Sequence, residues 1–303
     1  MRKNIAAGLA AVLLLLPCAT LANGGSGLTI ASDSSSGTYR KMLNELKAVC
    51  GNSVPIQEAD NHGGAVGNLQ ALTDNQVNAA FLHSDVYIAQ KQADPSLSRF
   101  ETLVALYPEA IHVLALKNSK SKKGPNPFAG ATQFNSLADT AGFPVGAAGG
   151  GVFTLQIIQG SANAGFSEVK AYNSGDDVIS ALDRGEIAAA VFVGAAPLPN
   201  LQKLEKNQYK ILPMGDRISS KLPRSVYHEV TINYSGLTFG PIKTFAPIAV
   251  ILTRKYNTGD KVQAQRAFRN CFNKNLNNLK DNASPSWQNV TPGDHGPLPW
   301  LKL

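Results

Sequence analysis

ALTDNQVNAAFL, residues 71–82, returns later in the chain as ALDRGEIAAAVF, residues 181–192. Both segments read Ala-Leu, a polar stretch, Val or Ile, one further residue, Ala-Ala and an apolar end. A second matching pair lies upstream, LTIASDSSSGTYRKML (28–43) and PVGAAGGGVFTLQII (144–158). Because both pairs recur in the same order about 110 residues apart, the sequence predicts two similar αβ lobes. The alternative is that Ala-rich αβ units look alike by chance.

Hydrophobic periodicity extends this repeat into a fold. It predicts strands at 28–32, 54–59, 77–82, 102–108, 111–117, 144–148, 169–171, 187–193 and 246–253. It predicts helices at 37–49, 65–74, 154–160, 176–184, 198–206 and 261–279, with another opening at 83. The alternation indicates an α/β fold with mostly parallel sheets, in which two similar Rossmann-like lobes enclose a ligand cleft.

The expected lobe boundaries follow from a break in composition. Residues 118–134 are rich in Lys, Gly and Pro, which predicts a surface segment near a crossover between lobes. Lobe I is therefore expected to contain residues 23–117 and 246–303, and lobe II residues 118–245.

The N-terminus has the pattern of a targeting segment. Arg2 and Lys3 precede an apolar run from Ala10 to Leu16 that is too short to span a bilayer. Small residues follow, and Ala22 is a suitable last residue before a cleavage site. We expect residues 1–22 to be a signal peptide, cleaved near Ala22, and the mature protein to be exported. A lipidated Cys18 is less favoured, because proline precedes it.

Charge and cysteines narrow the function classes. The formal charge of +7 falls to +5 without Arg2 and Lys3, which favours capture of an anion. The basic loop at 117–123 lacks interleaved aromatic residues, so no nucleic-acid partner is expected. Cys50 and Cys271 remain in the mature chain, where they either form a disulfide between the first and the C-terminal helix or stay as two separate thiols.

Two Gly/Ser-rich turns are the candidate ligand site. Residues 34–38 (SSSGT) and 149–151 (GGG) lie at predicted helix starts, where free N–H groups and the helix dipole favour anions. The turns also follow strands, and α/β sheets bind ligands at the carboxyl ends of their strands. We expect a cleft that closes on a small organic acid or amino acid, unless these residues only form turns. His62 and His83 have no third metal ligand at a telling spacing, so neither a metal nor a cofactor is expected.

Six segments carry a resemblance to a known family. They are IASDSSSGTY (30–39), HGGAVGNLQAL (62–72), FLHSDV (81–86), LYPEAIHVLA (106–115), VGAAGGGVF (145–153) and VFVGAAPLP (191–199). In order, they resemble the TAXI-type solute receptors of TRAP (tripartite ATP-independent periplasmic) transporters, which have the type 2 periplasmic binding-protein fold. The resemblance implies two lobes joined by two hinge strands, capture of a small carboxylate such as glutamate, glutamine or 2-oxoglutarate, and delivery to an integral-membrane permease.

The turns and the resemblance together give a set of expected ligand-binding residues. They are Ser35, Ser36, Gly37, Thr38, Tyr39, His62, Gly64, His83, Ser84, Tyr107, Gly150, Gly151, Val152 and Phe153. The chain departs from the family at 148–152, which read Ala-Gly-Gly-Gly-Val instead of Pro-Gly-Ser-Gly-Thr, and at 63–68, which lack a serine and a glutamate. His83 stands where the family has Gln. Asp85 is expected to be a charge partner or cap at its helix start rather than a ligand contact.

Other functions receive less support. The chain has no GxSxG turn, no HExxH motif and no mature cysteine in a candidate cleft motif, so we do not expect an enzyme. The alternative function is a binding subunit that serves an ATP-driven transporter or a membrane sensor kinase. We expect a monomer. The tail, with Pro285, Pro292, Pro297 and Pro299, is either an ordered wrap or a frayed end.

Overall fold

The computed structural model describes residues 27–33, 37–59, 63–118, 133–257, 259–293 and 296–303, so the expected signal peptide lies outside it. The helices are α1 (Thr38–Cys50), α2 (Ala65–Thr73), α3 (Ser84–Ala93), α4 (Gly150–Ala162), α5 (Gly175–Asp183), α6 (Pro199–Gln202), α7 (Asp216–Ser219) and α8 (Asp260–Asn282). The strands are β1 (Leu28–Ala31), β2 (Ile56–Glu58), β3 (Ala79–His83), β4 (Phe100–Pro108), β5 (Ala110–Leu116), β6 (Pro144–Ala148), β7 (Glu168–Tyr172), β8 (Ala189–Gly194), β9 (Tyr209–Leu212), β10 (His228–Ile232), β11 (Ile242–Ala246) and β12 (Ile248–Arg254). Short 3-10 helices lie at 95–99, 137–140 and 285–289.

Two five-stranded sheets form the centres of two lobes. Their strand orders are β2-β1-β3-β12-β4 in lobe I and β7-β6-β8-β5-β9 in lobe II. Only β12 and β5 run antiparallel to their neighbours, so four strands of each sheet share one direction. The expected two-lobed α/β fold with mostly parallel sheets is therefore confirmed. Strands β10 and β11 form a separate antiparallel pair.

The repeated sequence motif encodes a repeated structure. The unit β1-α1-β2-α2-β3 of lobe I matches β6-α4-β7-α5-β8 of lobe II, including the strand order. Asn75 and Gly185 occupy the same motif position after α2 and α5, with φ of 66° and 71°. Both helices close with the same bond, from the Gln76 N–H to the Ala71 carbonyl at 2.9 Å and from Glu186 to Ala181 at 3.0 Å. This left-handed ending turns each helix into the following strand.

The chain crosses between the lobes twice. It passes from β4 to β5 at Glu109 and from β11 to β12 at Pro247, and the Glu109 N–H donates to the Pro247 carbonyl at 2.9 Å. The second crossing lies next to the expected boundary at residues 245 and 246. The first differs from the expected boundary at 117, because β5 pairs with β8 and β9 of lobe II. The apolar β5 is buried equally well in either sheet, so its composition does not reveal which one it joins.

Three further differences concern lobe II and its second connection to lobe I. The helix expected at 198–206 is limited to α6, and the strands β9, β10 and β11 were not predicted. The segment 246–253, expected as one strand, contains the end of β11 and most of β12, with Pro247 between them. Proline has no N–H to donate to a sheet, which accounts for the break.

Helix α8 and the tail complete lobe I. A disulfide joins Cys50, the last residue of α1, to Cys271 of α8, with their Cα atoms 5.7 Å apart. The buried Trp287 donates from Nε1 to the Glu45 carboxylate at 2.6 Å. Further on, the Thr102 N–H of β4 donates to the Pro299 carbonyl at 2.7 Å. The described part of the tail is therefore an ordered wrap along lobe I rather than a frayed end. Among the helices described, none has the length and apolar composition needed to cross a membrane.

Candidate ligand-binding site

Two glycines at helix starts of lobe I, Gly37 and Gly64, lie beside a carboxylate of the chain itself, that of Asp33. Gly37 caps α1, and a Cβ at this position would collide with the Asp33 side chain, which would have to move. Gly64 caps α2 with φ 81°, and a Cβ at that position would lie 4.0 Å from Asp33 Oδ1. Thr38 opens α1 and is partly exposed. The start of α1 is thus partly neutralised by Asp33. The candidates Ser35, Ser36 and His62 lie outside the described residues.

His83 brings the two lobes into contact. It ends β3 of lobe I, and a Cβ on Gly150, the first residue of α4 in lobe II, would lie 2.0 Å from His83 Nε2. The imidazole therefore stands directly against the N-terminus of α4. Of the other candidates on this turn, Gly151 is buried, Val152 packs on the lobe II core, and Phe153 packs on the core of lobe I.

Asp85, in the first turn of α3, is the centre of a buried network between the lobes. Its side chain is fully buried, and Oδ1 lies 2.5 Å from His83 Nδ1. Oδ2 accepts hydrogen bonds from two residues of lobe II, Thr154 Oγ1 at 2.7 Å and Tyr227 Oη at 2.9 Å. The helix-start role expected for Asp85 is present in its bond from the Val86 N–H at 2.9 Å. The bonds across the lobes were not anticipated.

The environment favours an ion pair between His83 and Asp85. Burial opposes charge on the imidazole, but the carboxylate of Asp85 raises the pKa of His83 above its ordinary value. Burial alone would raise the pKa of Asp85, but the charge and hydrogen bond of His83 and the two lobe II hydroxyls lower it. The outcome is a proton on the imidazole and a charged carboxylate. With Nδ1 bonded to Asp85, the Nε2–H points toward α4, where a helix N-terminus adds further positive potential.

Glu109, at the first crossing, accepts bonds from both candidate tyrosines. Tyr39 Oη donates to its Oε2 at 2.6 Å and Tyr107 Oη to its Oε1 at 3.3 Å. Burial raises the pKa of Glu109, which is 5% exposed, while the charge of His83 and the two tyrosines oppose the rise. Tyr39 lies in the first turn of α1, so Glu109 links the crossing to the predicted ligand turn. The candidate Ser84 serves the other crossing, where its Oγ accepts from the Ile248 N–H at 3.1 Å.

Of the predicted site residues, His83 and Gly150 lie against each other in the structure, and four residues near them were not predicted in the roles they have. Those four are Asp85 in its bridging role, Glu109, Thr154 and Tyr227. Thr154 and Tyr227 lie 69 and 142 residues from Asp85, so no local spacing could have paired them. Within the described ranges, no three His, Cys, Asp or Glu side chains are grouped to hold a metal ion.

Comparisons with known proteins support the fold. No model of a protein family matches the chain, and no curated protein does. Among solved structures, the substrate-binding protein of an amino acid ABC transporter is 11% identical with a TM-score of 0.50, over 86% of this chain and 95% of that chain. An arginine third transport system periplasmic binding protein from Legionella pneumophila is 13% identical with a TM-score of 0.50, over 86% and 96%. A protein from Bordetella bronchiseptica RB50 is 17% identical with a TM-score of 0.50, over 88% and 78%.

At these identities the likeness establishes the fold alone. The chain has the two-lobed α/β fold of type 2 periplasmic binding proteins, as expected. The first two of these structures are transport binding proteins, not enzymes.

Proposed function

We propose that this chain is a periplasmic solute-binding receptor that captures a small carboxylate between its lobes and delivers it to a membrane permease. The observation that carries the proposal is the contact between His83 of lobe I and Gly150 at the start of α4 in lobe II. A protonated imidazole and a helix N-terminus, both at the carboxyl ends of strands, form an anion-attracting pair at the place where the lobes meet.

The solute class is proposed from two observations. The Nε2–H of His83 and the α4 N-terminus attract a carboxylate. Two of the similar solved structures belong to amino acid and arginine transport systems, which favours an amino acid. Glutamate and glutamine are therefore preferred to 2-oxoglutarate, the third solute implied by the resemblance.

Two membrane partners are considered. The segments that resemble TAXI-type receptors favour a TRAP permease. The solved structures of similar fold include the binding protein of an ABC transporter, which favours an ATP-driven system as the alternative. The genes beside this one discriminate between them: a large permease with many spans supports TRAP transport, and an ATPase supports the ABC system.

Thermal unfolding of the purified protein against a panel of solutes tests the receptor function. The panel contains glutamate, glutamine, arginine and 2-oxoglutarate. A solute at about 100 times its dissociation constant stabilises the native state by about 2.7 kcal/mol, which raises the melting temperature by a few degrees. We expect a shift with an amino acid. No shift across the panel, with isothermal titration also showing no heat, would refute carboxylate capture.

Two glycine variants of the same helix localise the binding. Gly150→Ala places a methyl group 2.0 Å from His83 Nε2 and should abolish the shift. Gly160→Ala adds the same methyl group to α4, at an exposed position with nothing within 4 Å, and should leave the shift unchanged. Equal binding by both variants would place the site elsewhere.

A further inference from the structure

We infer that Asp85 is an interlobe latch, whose two hydrogen bonds to lobe II hydroxyls stabilise the closed arrangement of the lobes. Asp85 belongs to α3 of lobe I, and both donors to its Oδ2, Thr154 and Tyr227, belong to lobe II. Among the described residues, no other lobe I side chain accepts two hydrogen bonds from lobe II side chains.

The burial of the latch makes its bonds depend on closure. Asp85 and Thr154 are fully buried, and Tyr227 is fully buried as well. Phe153, which precedes Thr154 on α4, packs on the core of lobe I, so apolar contact between the lobes accompanies the latch. Separation of the lobes breaks both bonds to Oδ2 and hydrates the carboxylate. A hydrogen bond to a charged group contributes enough to change an equilibrium on the order of tenfold to a hundredfold.

The His83–Asp85 ion pair lies within lobe I and supports the acceptor of the latch. Because both residues belong to the same lobe, separation of the lobes does not by itself break the bond between them. The charge and hydrogen bond of His83 lower the pKa of Asp85, and the hydrogen bonds from the two lobe II hydroxyls lower it further. Asp85 is therefore a charged acceptor for Thr154 and Tyr227 at neutral pH.

Two other ionisable groups face the pair. The charge of Glu109, from the first crossing, raises the pKa of His83, and the charge of Asp85 raises the pKa of Glu109. Tyr227 lies against Asp85 from lobe II, and burial and the neighbouring carboxylate hold its pKa far above neutral pH, so it stays a donor.

Small-angle scattering of the full chain without added solute tests the latch. Thr154→Val with Tyr227→Phe removes both lobe II hydroxyls and leaves lobe I unchanged. The matched control is Tyr209→Phe, which removes a lobe II hydroxyl bonded at 2.7 Å to Asp183 of the same lobe. At pH 6 we expect a larger radius of gyration for the double variant than for the wild type and the control. Thermal unfolding verifies that each variant is folded.

An unchanged radius of gyration in the double variant, or the same expansion in the Tyr209→Phe control, would overturn the inference. Because no solute is present, these outcomes are independent of whether any member of the panel binds.

Discussion

His112 should make the stability of the protein depend strongly on pH. It lies fully buried in β5, where burial lowers its pKa from 6.5 to about 4. Its Nε2 is 2.8 Å from Tyr234 Oη, and Nδ1 has no hydrogen-bond partner in the described structure. The folded protein therefore keeps His112 neutral at pH values where an unfolded chain would already protonate it.

The sign and the magnitude of the pH effect on stability follow from the difference in the His112 pKa between the folded and the unfolded protein. Above pH 6.5 His112 is neutral in both the folded and the unfolded protein, so its lowered pKa does not change the free energy of unfolding. As the pH falls from 6.5 to about 4, the unfolded chain takes up the proton first, and the native state is progressively destabilised. The shift from 6.5 to about 4, at about 1.4 kcal/mol per pKa unit, gives a loss of about 3 kcal/mol at the acid end.

Urea unfolding of the wild type and His112→Phe between pH 7 and pH 4 measures this loss. The phenyl ring removes the titration and keeps an aromatic side chain in the core, so the free energy of unfolding should fall less steeply in the variant. The difference should grow to about 3 kcal/mol. His83 is present in both proteins, so its contribution to the pH dependence does not affect the difference between them. The control is His228→Gln, since His228 is exposed. Parallel pH profiles for wild type and His112→Phe would refute the reasoning.

Three further predictions concern the fold and the cleft. The Cys50→Ser, Cys271→Ser double variant loses a crosslink spanning 221 residues and should be less stable by about 5 kcal/mol in urea unfolding. Two titratable thiols in the oxidised wild type would contradict this prediction. Trp287→Phe keeps the ring packing but removes the donor to Glu45, and calorimetry should show a loss of about 2 kcal/mol, whereas equal stability would contradict the 2.6 Å bond. Gly150→Ser should weaken solute binding by collision with His83, and His83→Gln should weaken it by removing the imidazolium. The double variant should lose less than the sum of the two because the collision is gone, so additive losses in this double-mutant cycle would refute the coupling.

The fold was predictable where it depends on neighbouring residues. The repeated Ala-Leu motif specifies a helix end and the following strand, because Asn75 and Gly185 tolerate the left-handed conformation that ends each helix. Strands β10 and β7, by contrast, are mostly exposed or half-buried and have little hydrophobic alternation. β7 was nevertheless predicted, because it belongs to the repeated βαβ unit and pairs in parallel with β6. β10 belongs to no repeated unit and was not predicted.

The first crossing and the latch depend on distant partners. β4 and β5 are consecutive apolar strands, and only their pairing with β12 and with β8 places them in different sheets. The same limitation applies to Asp85. Its position after a strand predicts a role at the helix start, but the direction of its second oxygen is set by Thr154 and Tyr227 from another lobe.

Two departures from the receptors that this chain resembles lie against each other in the structure. By the resemblance drawn from the sequence, His83 stands where those receptors have glutamine, and Gly150 where they have serine. A serine Cβ at 150 would lie 2.0 Å from Nε2, and the imidazole cannot rotate away without breaking its bond to Asp85, so this histidine requires this glycine. The lost hydroxyl is offset by the Nε2–H, which adds a positive charge because Asp85 raises the pKa of His83. The triglycine turn is therefore compatible with an acidic solute, and we expect the affinity to decline as the pH rises and His83 loses its proton.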